Sequence, residues 1–420
     1  MREYFRTQIN AFLMFCCVVC FAVPPLVGQD MPRRVVLFVV DGAGIGIWSI
    51  AAVQDSAQQL RRFPVAGLVD TRASEGYSPG SASAATSLAT GVRSFVRAIG
   101  VDVDSQPRET VLEVARERGM ATGVVTTARI TDATPAAFTA HTAYRIDEPG
   151  IALQQLEQDV TVFMGGGRKH FDTSGRPDSM DLIGQIRERH TYVETADELS
   201  DLSLDSVTSL YGLFNWLDMP VYPDRSPSLS QMTSAALTVL DRDPNGFFLL
   251  LETESPDSEG HHNVEYDVLA GEMVDVGDAA RVVLEYQRSN PETLFILLGD
   301  HDTGGLAIQS ANKNRILTNT AQRLDTTGVR LGETTGMLEQ AELALLDSTR
   351  TFMDRMSTVL RRRAGELSNE TTLVTRYTTG SHTANLVPLF AIGPESERFG
   401  GVIDNHRIGQ ILLEIVGRED

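Results

Sequence analysis

The chain has 420 residues and is 42% hydrophobic, enough to bury a core of one large or two ordinary domains. It carries 56 Asp and Glu against 36 Lys and Arg, a formal charge of −20, which argues against nucleic acid as a partner because polyanion binding needs clustered basic residues. Charged residues at 22%, spread through the sequence, also exclude a wholly disordered chain and a multi-span membrane protein.

Residues 1–28 read as a secretory signal. Arg2 and Arg6 precede the unbroken apolar run 11–23, and Pro24, Pro25 and Gly28 follow it. Thirteen apolar residues fall short of the roughly 20 that span a bilayer as a helix, so cleavage and export are expected, with no stable membrane anchor; an uncleaved anchor is the alternative. Cys16, Cys17 and Cys20 all lie in this segment, so a metal site in the mature chain must use histidine and oxygen ligands.

Three apolar runs then end in acidic residues: 35–40 before Asp41, 247–251 before Glu252, and 294–298 before Gly299, Asp300 and His301. Continuous Val/Leu/Ile/Phe runs of this length suit strands buried on both faces of a largely parallel sheet, where ligands bind beyond the carboxyl ends. Helical patterns at 81–90, 111–119, 229–240 and 266–286 alternate with them, giving an α/β chain. Residues 31–420 read as a single domain, with 150–245 and 303–376 as excursions from its core and a long helix within 336–366.

Gly80 to Gly91 reads as a turn followed by an alanine-rich helix, which puts Ser81 at a helix N-terminus, where free N–H groups favour an oxyanion. Ser78 and Ser83 are the competing serines, Ser83 being better placed to bond back to the chain. Asp257 and His261 stand four apart after Ser255-Pro256, on one side of a helical turn. Asp300 and His301 share a strand end, and His382 precedes another apolar run, 386–392. Each pair alone is a weak signal; together with Asp41 and Glu252 they form a donor set suited to zinc.

In order along the chain, VVLFVVDGAG (35–44), SASAATSLATGV (81–92), ITDATPAAFTAH (130–141), MGGGRKHF (164–171), FFLLLETESPDSEGHH (247–262), LLGDHDTGG (297–305) and GSHTANLVPLFAIGP (380–394) resemble the alkaline phosphatase family. The resemblance implies a three-layer α/β sandwich, with a central, mostly parallel sheet flanked by helices. It implies two Zn2+ ions and one Mg2+ ion: Asp257, His261 and His382 on the first zinc, Asp41, Asp300 and His301 on the second. Asp41, Glu252 and Thr134 would hold the magnesium, with Asp132 supporting its shell and a further zinc as the alternative ion. Ser81 would be the nucleophile that becomes a phosphoserine, and Arg145 would grip two phosphate oxygens. The implied substrates are small phosphate monoesters, and the implied partner is a second copy in a homodimer. A related metal-dependent diesterase or phosphonate hydrolase and a non-catalytic phosphate binder are the competing readings.

The chain departs from that pattern at two places. Many relatives carry an aspartate immediately before the nucleophile, where it orients the arginine; here Gly80 occupies the position, so Arg145 is expected to be held differently, as by another carboxylate, with weaker phosphate binding. Ser258 follows Asp257 where some relatives place lysine or histidine, which removes one contact near the phosphate. His141 and His170 match no ligand position and read as structural.

Overall fold

The computed structural model describes residues 33–54, 57–312 and 371–417, with side chains omitted at 57–58, 311–312 and 371–372. The segment read as an export signal and the helix expected within 336–366 lie outside the described residues.

Fourteen strands are described: β1 (Arg34–Val40), β2 (Val65–Asp70), β3 (Ala121–Arg129), β4 (Val162–Gly166), β5 (Thr191–Val193), β6 (Leu210–Leu213), β7 (Phe247–Thr253), β8 (Thr293–Gly299), β9 (Asp302–Thr303), β10 (Ala307–Asn312), β11 (Thr371–Arg376), β12 (His382–Thr383), β13 (Val387–Ile392) and β14 (Gly401–Asp404). Ten of them form one sheet in the order β14-β2-β13-β8-β1-β7-β3-β4-β6-β5. Only β13 runs against its neighbours in that sheet.

Alternation along β1 shows why the sheet needs cover on both sides. Val36, Phe38 and Val40 pack with the helices Ile45–Ala52, Leu229–Leu240 and Tyr266–Ser289. Val35, Leu37 and Val39 pack on the opposite side with the helices Ser81–Thr90, Val111–Glu117, Glu148–Gln158 and Asn405–Val416. A strand with no exposed face has no polar position to spare, hence its unbroken apolar reading.

The excursion expected at 150–245 is corrected: these residues supply β4, β5 and β6, which extend the sheet to its edge. At three to five residues each, these strands are too short to show a period in the sequence. At the other proposed excursion, β10 and β11 pair antiparallel from Ala307↔Arg376 to Asn312↔Thr371, so the chain leaves and returns at one place.

The register then gathers the acidic strand ends. Val40 stands beside Thr253 on one side and Gly299 on the other, so Asp41, Glu252 and Asp300 meet at the carboxyl end of three adjacent strands. Gly42 makes the turn that follows, at φ +71°; a Cβ there would lie 2.6 Å from Asp257 Cα, so only glycine lets β1 and the Asp257 helix approach this closely.

Candidate active site

Ser81 opens the helix Ser81–Thr90, and Gly80 before it is extended, with φ −131° and ψ 161°. The serine is 3% exposed, and its Oγ lies 3.2 Å from His301 Nε2 and 3.4 Å from Asp41 Oδ1. Ser83 hydrogen-bonds back to Gly80 through its carbonyl and amide, and Ser78 is exposed. Of the three serines, Ser81 alone turns into the acidic cluster.

Two groups of candidate metal-binding side chains lie side by side. In the first, His261 Nε2 is 3.4 Å from Asp257 Oδ2, His382 Nε2 is 3.5 Å from Asp257 Oδ1, and the two Nε2 atoms are 3.0 Å apart. In the second, His301 Nε2 is 3.2 Å from Asp41 Oδ1 and 3.5 Å from Asp300 Oδ2. Tetrahedral zinc with bonds near 2.0–2.1 Å sets its donors about 3.3 Å apart, so both groups have the span of a zinc ligand set.

Hydrogen bonding sharpens that fit. His261 Nδ1 pairs with the Gly380 carbonyl at 2.9 Å, and His382 Nδ1 with the Pro79 carbonyl at 2.8 Å. With each Nδ1 satisfied by a carbonyl, both Nε2 atoms turn toward Asp257 and toward each other, where a bound cation would take the place of their protons. Asp300 Oδ1 accepts from the Gly42 and His301 amides, while its buried Oδ2 has no hydrogen-bond partner among the described residues. Thr134 Oγ1 and Glu252 Oε1 are likewise buried without a partner, and they are two of the donors expected for the third ion.

The electrostatics point the same way. Burial, with the Asp300 and Asp257 charges beside it, pushes the Asp41 carboxyl well above its ordinary range. Burial lifts Glu252 to about 8, with the Asp132 charge adding to the effect. Asp257 is the exception: burial opposes its ionisation, yet hydrogen bonds to His261 and His382 hold it well below the usual carboxylate range. In return Asp257 raises His261 to about 9. So many carboxylates in one dry place need compensating positive charge.

Arg145 is held by a carboxylate other than one at position 80: its Nη2 donates to Asp132 Oδ1 at 2.7 Å. The structure brings Asp41, Asp257, His261, Asp300, His301 and His382 together beside Ser81, sets Asp132 close enough to act on the Glu252 charge, and pairs Arg145 with Asp132. His141 and His170 stay apart, paired with Glu113 and Glu148 at 2.9 Å.

Supporting residues escaped the sequence reading. Thr303 Oγ1 donates to Asp257 Oδ1 and sits 3.3 Å from His301 Nδ1, touching both ligand groups. Asp302 takes hydrogen bonds from Thr383 and Asn385 and so ties the β12 segment, with His382, to the strand end that bears His301. Buried Arg225 bonds Glu272, Asp275 and Ser255, the first residue of the helix that carries Asp257 and His261. Asp302 and Thr303 directly follow a recognised pair, and that adjacency was a usable signal; Arg225 lies 30 residues from Ser255 and gave none.

The alkaline phosphatase family model matches residues 33–417. Alkaline phosphatase 3 of Bacillus subtilis is 29% identical over 430 residues, covering 92% of this chain and 89% of that one. The alkaline phosphatase of Escherichia coli is 31% identical over 339 residues, covering 65% and 71%. Among solved structures, the alkaline phosphatase of the Antarctic bacterium TAB5 superposes with a TM-score of 0.74 at 28% identity, over 93% of this chain and 100% of that one. A family match over the whole described chain, a shared fold, and a metal-ready cluster around one buried serine together make the chain a member of the metal-dependent alkaline phosphatase family, a phosphoric monoester hydrolase.

Proposed function

We propose that the protein is exported and hydrolyses phosphate monoesters through a phosphoserine at Ser81, beside two zinc ions and a magnesium ion. The observation that carries this reading is the pair of adjoining donor groups with zinc-ligand spacing, with the Ser81 hydroxyl set against Asp41 and His301 of the second. Asp257, His261 and His382 would hold the first zinc, and Asp41, Asp300 and His301 the second. Asp41, Thr134 and Glu252 would hold the magnesium, with Asp132 in its shell; a mutant of the TAB5 enzyme is described with magnesium bound in its M3 site. When bound, such ions act as Lewis acids that lower the pKa of a nearby hydroxyl and neutralise charge on the leaving oxygen. Export rests on the sequence of residues 1–28, and among the described residues no helix is long and apolar enough to cross a membrane.

Ser81 Oγ attacks phosphorus in line, the P–O bond to the alcohol breaks, and the alcohol departs. Water then attacks the phosphoserine on phosphorus, and Ser81 Oγ leaves with release of inorganic phosphate. Through both steps Arg145 would bind two non-bridging oxygens with its planar fork, and the free amides at the start of the Ser81 helix favour the same anion. The arginine clamp also favours monoesters over diesters, since a monoester offers one more charged oxygen.

The test is phosphate release from an aryl phosphate monoester and from the matching diester, before and after chelation. Monoester turnover well above diester turnover, lost with chelator and regained with zinc and magnesium, is the expected result. A preference for the diester would move the protein to the diesterase reading and remove the basis for the third ion.

A second prediction concerns Gly80. A Cβ at this position meets Val96 Cγ1 at 3.6 Å and the His382 ring at 3.8 Å, which is ordinary contact, so Gly80→Asp is sterically tolerated. The introduced carboxylate draws Arg145 away from Asp132 and toward the nucleophile. The inhibition constant for inorganic phosphate is expected to fall about three- to tenfold, the scale of one added charged hydrogen bond to the arginine. An unchanged constant contradicts this account of how Arg145 is held.

A further inference from the structure

We propose that Arg129 is a positioning residue for phosphate binding, which keeps the Asp132 carboxylate turned toward Arg145 and away from its own helix. The proposal rests on the reading of Arg145 as the phosphate-binding arginine.

Asp132 sits at the N-cap of the helix Ala133–Thr139, where an aspartate ordinarily accepts from the free amides of the first turn, yet its side chain makes no capping hydrogen bond. Instead Asp132 Oδ1 accepts from Arg145 Nη2 at 2.7 Å and from Arg129 Nη2 at 3.1 Å. With both guanidinium groups on one oxygen, Oδ2 is left for the third-ion shell assigned above. An aspartate with an unused cap beside it has a competing conformation, and something must hold it out of that conformation.

Arg129 is built to do so. It ends β3, just past the irregularity in the β3–β4 register that follows Val125. Its guanidinium meets three carboxylates from three parts of the chain: Asp132 at 3.1 Å, Glu148 at 3.0 Å, and Asp218. The Arg129 amide also donates to Asp218 Oδ1 at 2.9 Å. Glu148 is fixed in turn by Thr131 Oγ1 at 2.6 Å and by His170 Nε2 at 2.9 Å. Burial raises Glu148, but His170, Thr131 and Arg129 together bring it down to about 2, so it stays ionised. A planar fork held from two other sides presents its remaining N–H to Asp132 in one direction only. Loss of Arg129 frees Asp132 to swing onto the amides of its own helix, and Arg145 loses its seat.

The test compares Arg129→Gln, Arg145→Ala and the double variant in the metal-loaded enzyme, reading kcat, KM for an aryl phosphate monoester, and the inhibition constant for inorganic phosphate. Arg129→Gln is expected to raise both KM and the phosphate constant about tenfold, the typical scale for a residue that orients a ligand-binding group, with kcat moving less. In the Arg145→Ala background the same substitution is expected to add less than about twofold, because the route through Arg145 is already cut. Where the glutamine variant does not fold, Arg129→Lys carries the test: it keeps a half-buried positive charge but cannot hold three carboxylates, and it raises the same two constants by about threefold. Unchanged phosphate inhibition in a folded Arg129 variant overturns the proposal, even with a lowered melting temperature. So does an effect that persists undiminished without Arg145. If Arg145→Ala alone leaves phosphate inhibition unchanged, the reading of Arg145 itself fails and takes the proposal with it.

Discussion

Ser81→Ala lowers kcat for phosphate monoesters by at least about 10³-fold, with the fold and the metal sites intact. The variant removes one oxygen from the first residue of a helix, at a position where alanine is a good helix former. That oxygen is the group 3.2 Å from His301 Nε2 and 3.4 Å from Asp41 Oδ1, so its loss takes the proposed nucleophile and leaves both proposed ligands. The check is steady-state turnover alongside zinc content and melting temperature. A variant within about tenfold of the parent, at equal zinc content, would remove Ser81 from the reaction.

The second large effect is on stability. In the chelated protein, stability falls as pH rises from about 5 to about 8, and restoring zinc and magnesium reverses the trend. The sign follows from the raised carboxyls. Glu252 has an ordinary value near 4.5 and about 8 when folded without a cation, so its protonated form favours the folded state. That contribution is complete below about 4.5 and is lost as pH climbs through about 8. Asp41, raised well above its ordinary range by burial and by Asp300, adds in the same direction. His261, raised to about 9, also loses its stabilising proton over the upper part of this window. The depressed Asp257 acts only at acid pH, below its ordinary value of 3.8. The fully buried Glu252 alone makes the loss on the order of several kcal/mol, and Asp41 adds in the same direction. Denaturant midpoints at pH 5.5, 7 and 8.5, with and without chelator, check it; a metal-free midpoint that stays level or rises across the range contradicts it.

Much of this site was legible because its residues sit where local chemistry leaves a local mark. Asp41, Glu252 and Asp300 each close an apolar run, and a doubly buried strand cannot hide such a run. Asp257 and His261 share one helical turn, and Ser81 follows a glycine at the start of an alanine-rich helix. The alkaline phosphatase resemblance then joined these marks into one site, which spacing alone did not do. What remained hidden depends on distance in sequence. Three-residue β5 has no period to read, and its place at the sheet edge comes from pairing with β6. Arg129 joins Asp132, Glu148 and Asp218, separated from it by 3, 19 and 89 positions, and nothing at Arg129 itself announces them. Gly80 lies between these cases: its departure from the family predicted that another carboxylate would hold Arg145, but only the folded chain identified Asp132.

In the proposed reaction Ser81, beside the paired donor groups, carries the phosphoryl group between substrate and water. The most direct measurement is to mix the metal-loaded enzyme with a phosphate monoester, quench in acid within the turnover time, and locate the bound phosphate by peptide mass spectrometry. Phosphate is expected on the peptide containing residues 80–91, at Ser81, and none there in the Ser81→Ala variant. Phosphate on Ser83, on Ser78 or on any residue outside that peptide would contradict it.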